Sequence, residues 1–253
     1  MTAHRDDILA LLDDELEIAR FRDYGPQGLQ VAGRAEVRRV AVAVSSTLEV
    51  FEQAEASGAD LLIVHHGLFW DGDSRVVDEL LRRRLETLFR AGITLAAYHL
   101  PLDAHRTLGN NAELARILGV EPEGWFLDDR GAALAVRGPL VQPCSLDALA
   151  ASLEQATGRR PLSFPGGPAL LERIGICSGG AARAVRLAAE LGLDAWVTGE
   201  PSEDSRALSR ELGISFVAGG HYATETFGVR ALARLLEQRF ELETSFIDVA
   251  NPV

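Results

Sequence analysis

Lysine is absent from this 253-residue chain, and all 25 basic residues are arginine, a bias of composition more than a binding signal. Cysteine is scarce. Cys144 and Cys177 lie far apart and form no CxxC, which argues against a disulfide framework and leaves two reduced structural thiols. Positive charge is in deficit: the formal net charge of −12 speaks against a broad nucleic-acid-binding surface. No apolar run approaches the roughly 18–20 residues that cross a bilayer. The opening "MTAHRDDILALLDDELEIAR" has acids throughout its apolar pattern, unlike a signal peptide. The expectation is a cytoplasmic protein with no membrane partner. Also missing are GxxxxGK[ST], GxGxxG, the GxSxG serine elbow and a cysteine placed for nucleophilic work.

What the chain does have is apolar content, 47% of residues, enough for one large domain or two small ones. "RRVAVAVSS" (38–46) reads as a buried strand, "TLEVFEQAEASG" (47–58) as a helix closed by glycine, and "ADLLIV" as a second strand ending at His65. Later, "ERIGICSGG" (172–180), "AARAVRLAAELG" and "LDAWVTGE" repeat the strand, helix, strand order. Shifted by 134 positions, the first unit lies on the second without a gap, Asp60 on Asp194 and His65–His66 on Gly199–Glu200. "LETLFRAGITLAAYHLPLD" and "DSRALSRELGISFVAGGHYATE" each read as helix and strand, ending in His99-x-x-x-Asp103 and His221-x-x-x-Glu225. The match extends backwards: a helix over about 5–19 and "GLQVAG" precede the first unit, and "SLDALAASLEQATG" and "PLSFPGG" precede the second. The fold class expected is α/β, with two similar α/β domains from an internal duplication, 1–126 and 127–253, terminal elements being free to exchange between halves. A weak junction is expected near 121–130, where Pro, Gly and Asp cluster.

Of the six histidines, His65, His66, His99 and His221 stand at or just past predicted strand ends, where open α/β sheets build their sites. Adjacent buried imidazoles each need a partner, so His65–His66 is the strongest functional pair. His221 and Glu225 share a face if a helix starts near His221, a good metal clamp. Pro101 disfavours a regular helix through "HLPLD", which reads instead as a rigid loop aiming Asp103, with Asn110 or Asn111 capping the next helix. If the halves pack about a pseudo-twofold axis, the strand ends meet in one cleft holding His65, His66, Asp103, His221 and Glu225. Five donors exceed a mononuclear zinc site and suit two metals, Zn, Mn, Fe, Co or Ni, which activate a shared water for hydrolysis. The turns "SSTL" (45–48) and "SGGAAR" (178–183) offer amides to an anion such as a substrate phosphate, or are ordinary βα turns.

The motifs "GLQVAG", "ADLLIVHHGLFW", "AYHLPLDAHRTLGNNAELA", "TGEPSE" and "GGHYATETFGVRAL" resemble the Nif-three-like dinuclear-metal family, whose members include many GTP cyclohydrolase I type 2 homologues. The resemblance covers nearly the whole chain and is to the short bacterial form. It implies a dinuclear site on His65, His66, Asp103, His221 and Glu225, with Asp103 and Glu225 bridging, and a toroidal homohexamer with its metals facing an internal cavity. Many members carry Asp after the first strand, where this chain has Ser45 or Ser46. The implied activity is ring-opening of a guanine nucleotide, or hydrolysis of another phosphorylated small molecule, through a metal-bound hydroxide. His99 is then the catalytic proton shuttle or a support for the ligands. The alternative class is a metal-binding interaction or regulatory protein, or a metal carrier, whose site turns nothing over. A purely structural metal is the third option.

Overall fold

The computed structural model describes residues 1–253 and divides into two compact units. One comprises Met1–Leu102 with Gly228–Ala250, the other Asp103–Phe227 with Asn251–Val253. The division therefore falls at 102/103, not at 126/127, and the C-terminal elements return to the first unit. The physical reason is strand pairing. The strand Glu243–Phe246 lies parallel to Arg39–Ser45, which ties the chain's end to its beginning. The segment near 121–130 is no linker but a strand paired with its successor.

The first unit runs β1 (Ala3–His4), α1 (Arg5–Glu15), β2 (Gly28–Val31), β3 (Glu36–Val37), β4 (Arg39–Ser45), α2 (Leu48–Ala56), β5 (Leu61–His66), α3 (Glu79–Ala91), β6 (Thr94–Ala97) and into α4 (Leu100–Ala104). The second holds α5 (Asn110–Leu118), β7 (Gly124–Asp129), β8 (Ala132–Cys144), α6 (Leu146–Thr157), β9 (Leu162–Phe164), β10 (Leu171–Cys177), α7 (Val185–Glu190), β11 (Ala195–Thr198), α8 (Ser205–Leu212), β12 (Ser215–Ala218) and α9 (His221–Thr224). Helix α10 (Thr226–Phe240) leads back to β13 (Glu243–Phe246).

Each unit is built on a sheet with three central parallel strands. The order is β13-β4-β5-β6-β2 in the first and β7-β8-β10-β11-β12-β9 in the second. The central strands are apolar on both faces, as strands between helical layers must be. Val40–Val44 and Leu61–Val64 are almost wholly buried, and so are Ile174, Ile176 and Ala195–Val197. An antiparallel strand closes one edge in each, β2 against β6 and β9 against β12. Local chemistry sets the helix boundaries. Thr47, Asp78 and Ser145 accept the amides of Val50, Leu81 and Ala148 at the starts of α2, α3 and α6. Gly92, Gly119 and Gly158 end α3, α5 and α6 in the left-handed conformation that L side chains avoid. No helix is long and apolar enough to cross a membrane.

Candidate metal centre

In the first unit, β5 ends on its two histidines and β6 delivers His99 one residue past Tyr98. Alternation along β5 would send neighbouring side chains apart. Yet one ligand atom from each of His65, His66 and His99 lies within 4.8 Å of the other two. The ring centroids of His65 and His66 are 4.8 Å apart, and those of His65 and His99 5.0 Å. His65, fully buried, donates Nδ1–H to the Tyr98 carbonyl at 3.0 Å, since a carbonyl only accepts. His99 Nδ1 meets Asp23 Oδ1 at 2.8 Å. Both contacts fix the tautomer and turn Nε2 into the electron-pair donor. His66 Nδ1 lies 3.5 Å from Ser45 Oγ, so it is Ser45 that faces this imidazole. Trp70 sets its edge against the His99 ring at 5.1 Å.

Asp23 gives the sequence no spacing signal, for it lies 76 residues from its partner. Its carboxylate, 1% exposed, accepts from His99 with one oxygen and from the Leu100 amide with the other. That second bond caps α4. The rigid loop expected through "HLPLD" is in fact this short helix, because Pro101 stands in its first turn, where no N–H is needed. Gln27 accepts the His99 amide at 2.7 Å. Behind His65, Tyr98 donates its hydroxyl to Asp13, whose carboxyl is pushed up by burial against the lowering effect of that bond.

In the second unit, His221 and Glu225 stand on one side of α9 with Nε2 to Oε1 at 3.3 Å. The helix is not continuous: α9 stops at Thr224, Glu225 takes a non-helical turn, and α10 begins at Thr226. The Glu225 carboxylate holds the His221 proton and raises its pKa to about 9, against the opposing effect of burial. Glu200 Oε1 lies 3.5 Å from His221 Nδ1. Gly179, at φ +65, leaves room for Glu225: a Cβ there would collide with Oε1 and come within 3.2 Å of His221 Nε2.

Asp103 is buried, and its Oδ1 accepts from Asn110 Nδ2 at 2.9 Å and from Ser178 Oγ at 3.3 Å. Asn111 donates to the Asp103 and Leu134 carbonyls and accepts the Ser178 amide. Neither asparagine caps α5, whose N-cap is Gly109; both are spent on holding Asp103 and the end of β10. Cys177 is buried there, its thiol raised mainly by burial and further by the Asp103 and Glu225 charges.

The family model described as DUF34/NIF3 (NGG1p interacting factor 3) matches residues 3–252. The chain belongs to that family. It is 43% identical over 240 residues to a Pseudomonas aeruginosa protein named GTP cyclohydrolase 1 type 2 homolog, covering 95% of each chain. A solved structure described as protein ybgI, of unknown function, superposes with TM-score 0.94 at 39% identity over 99% of this chain and 100% of that one. Thermus thermophilus TTHA1606 gives 0.89 at 40%, over 99% and 100%. The mixed α/β architecture is thus the DUF34/NIF3 fold, with a His/Glu set able to bind metal.

The turn amides of this DUF34/NIF3 chain are not offered to an anion at the positions bonded within the turns. Gly179 donates to Thr224 Oγ1 and Ala181 to Thr198 Oγ1, while Ser46 and Thr47 donate to the His66 and Ser45 carbonyls. At those four positions the turns close on themselves.

Proposed function

We propose that the chain is a metal-dependent hydrolase of nucleotides or other phosphorylated small molecules, with His65, His66, Asp103, His221 and Glu225 holding two divalent transition-metal ions. The observation that carries this reading is the donor pair at the end of β5, His65 and His66, with ligand atoms within 4.8 Å of each other and the His65 ring locked through Nδ1 by the Tyr98 carbonyl. The donor chemistry fits such ions: neutral imidazole and carboxylate without thiolate suit Zn, Mn, Fe, Co or Ni. When bound, the ions would lower the pKa of a water and polarise a substrate oxygen.

The chain's own residues supply the rest. Asp103 and Glu225 are the carboxylates that would help hold the ions, and Asn110 and Ser178 fix the first of them. Asp23 holds the Nδ1 proton of His99, which leaves Nε2 as the base that accepts a proton and passes it to the leaving group. The relatives' name makes GTP the first substrate to try, with ring opening and formate release as the readout. We further take the chain to work in the cytoplasm as a toroidal homohexamer; sedimentation at monomer mass overturns the hexamer.

The deciding experiment is elemental analysis of protein purified without chelator, beside Glu225→Ala. About two transition-metal ions per chain, falling in the variant, support the reading. No metal in either sample after reloading overturns it. Two metals with no turnover of any phosphorylated substrate favour the carrier or regulatory alternative.

A further inference from the structure

We propose that Arg159 binds a phosphate group of the ligand handled beside His221, a step that names the recognition element within the hydrolase reading and rests on it only for the ligand's turnover.

The first observation is place. Antiparallel strands β2 and β9 close their sheets in the same way, with Gly28 opposite Ala97 and Leu162 opposite Ala218. The segment before each strand therefore reaches the end of the neighbouring parallel strand. In the first unit that segment delivers Asp23 and Gln27 to His99. In the second, the corresponding "TGRRP" (157–161) delivers Arg159 to Gly220, the residue directly before His221. Ligands of open α/β sheets collect at this carboxyl end of the parallel strands.

The second observation is how the arginine is held. Gly158, at φ +68, reverses the chain after α6, and the Arg159 amide donates to Thr157 Oγ1. Its side chain then lies along Gly220, where an added Cβ would stand 3.2 Å from Arg159 Cδ and 3.4 Å from Nη1. Gly220 has φ +96 and ψ 127, a conformation open to glycine alone. The backbone is thus bare at the one place where the guanidinium crosses it.

The third observation is the guanidinium itself. Arg159 Nη1 is buried and meets no hydrogen-bond acceptor, although the chain has an excess of acids. A buried cationic donor without an acceptor is unfavourable, and an incoming oxyanion relieves it. The planar fork matches the paired oxygens of a phosphate. The βα turn amides at Gly179 and Ala181 are already bonded, to Thr224 Oγ1 and Thr198 Oγ1.

The test is titration of the full-length, chelator-stripped protein with pyrophosphate by calorimetry, comparing wild type with Arg159→Gln, Arg159→Lys and the exposed neighbour Arg160→Gln. The expected result is saturable binding that weakens about tenfold in Arg159→Gln, recovers in part in Arg159→Lys and holds in Arg160→Gln. Wild-type binding matched by Arg159→Gln overturns the proposal, as does an equal loss in Arg160→Gln, which would mean diffuse charge. Metal content of the same samples separates the two readings. Arg159-dependent binding in a protein that takes up no metal leaves the anion site standing and removes the hydrolase. Two metals with Arg159-independent binding does the reverse.

Discussion

In the first unit, Asp60 Oδ2 accepts the amides of Arg38 and Arg39, the Asp60 amide donates to the Arg39 carbonyl, and the Asp60 carbonyl accepts from Thr94. In the second, Asp194 Oδ2 accepts the amides of Glu172 and Arg173, its amide donates to the Arg173 carbonyl, and its carbonyl accepts from Ser215. The Thr94 hydroxyl accepts from Gly33 and the Ser215 hydroxyl from Gly167, each glycine being pressed against the start of the third parallel strand. From Gly33 to Gly167, and from Asp60 to Asp194, the offset is 134 positions, as a duplicated unit would carry. The amino ends of the two sheets are thus clasped alike, and the carboxyl ends differ. The first presents His65, His66 and His99; the second presents Ser178, Gly179, Gly199 and Gly220, letting His221, Glu225 and Arg159 reach in from flanking segments. Where only stability is at stake the hydrogen bonds recur. Where chemistry is at stake the residues diverge.

The comparison can be broken at either end. Removing a donor has the largest effect: His65→Ala or Glu225→Ala should lose at least one metal per chain with circular dichroism nearly unchanged, and unaltered metal content would unseat the assignment. Removing a clasp comes next. Asp60→Ala and Asp194→Ala each strip a carboxylate from two amides and should cost about 3 kcal/mol in urea unfolding. Similar losses would sharpen the equivalence, and a silent Asp194→Ala would dissolve it. A smaller effect is expected from Asp23→Asn, which frees the His99 ring and should lower turnover roughly tenfold with metal content unchanged. A variant that turns over like wild type would show that Asp23 serves only to cap α4.

Much of this was legible from residues alone. The paired strands, the 134-position offset and the histidines at strand ends follow from apolar runs bounded by glycine, a local signal. Pro101 was misleading because its effect depends on its place in a helix, and that place is set by Asp23, far away in the chain. Asn110 and Asn111 look like caps, yet β10 packs close enough to claim them for Asp103 and Ser178. The hairpin β7–β8 hid in a stretch rich in turn residues, and β13 in a short polar strand, since edge strands carry little apolar pattern. The division at 102/103 leaves no mark in composition for the same reason: long-range pairing decides which elements belong together.

The smallest effect tests how the second unit's donors are poised without metal. Glu225, by holding the His221 proton, raises that imidazole from 6.5 to about 9. A raised pKa stabilises the protonated folded state, so this contribution is complete below pH 6.5 and fades as pH climbs through 9. The metal-free protein should therefore lose urea resistance between pH 6.5 and 9, and Glu225→Gln should flatten that slope. The His221 imidazole of the metal-free protein, followed by NMR, should titrate at about 9 in wild type and nearer 6.5 in Glu225→Gln. Equal midpoints in both would mean that Glu225 does not hold the proton, and that Glu200, 3.5 Å away on the other ring nitrogen, is its partner in solution.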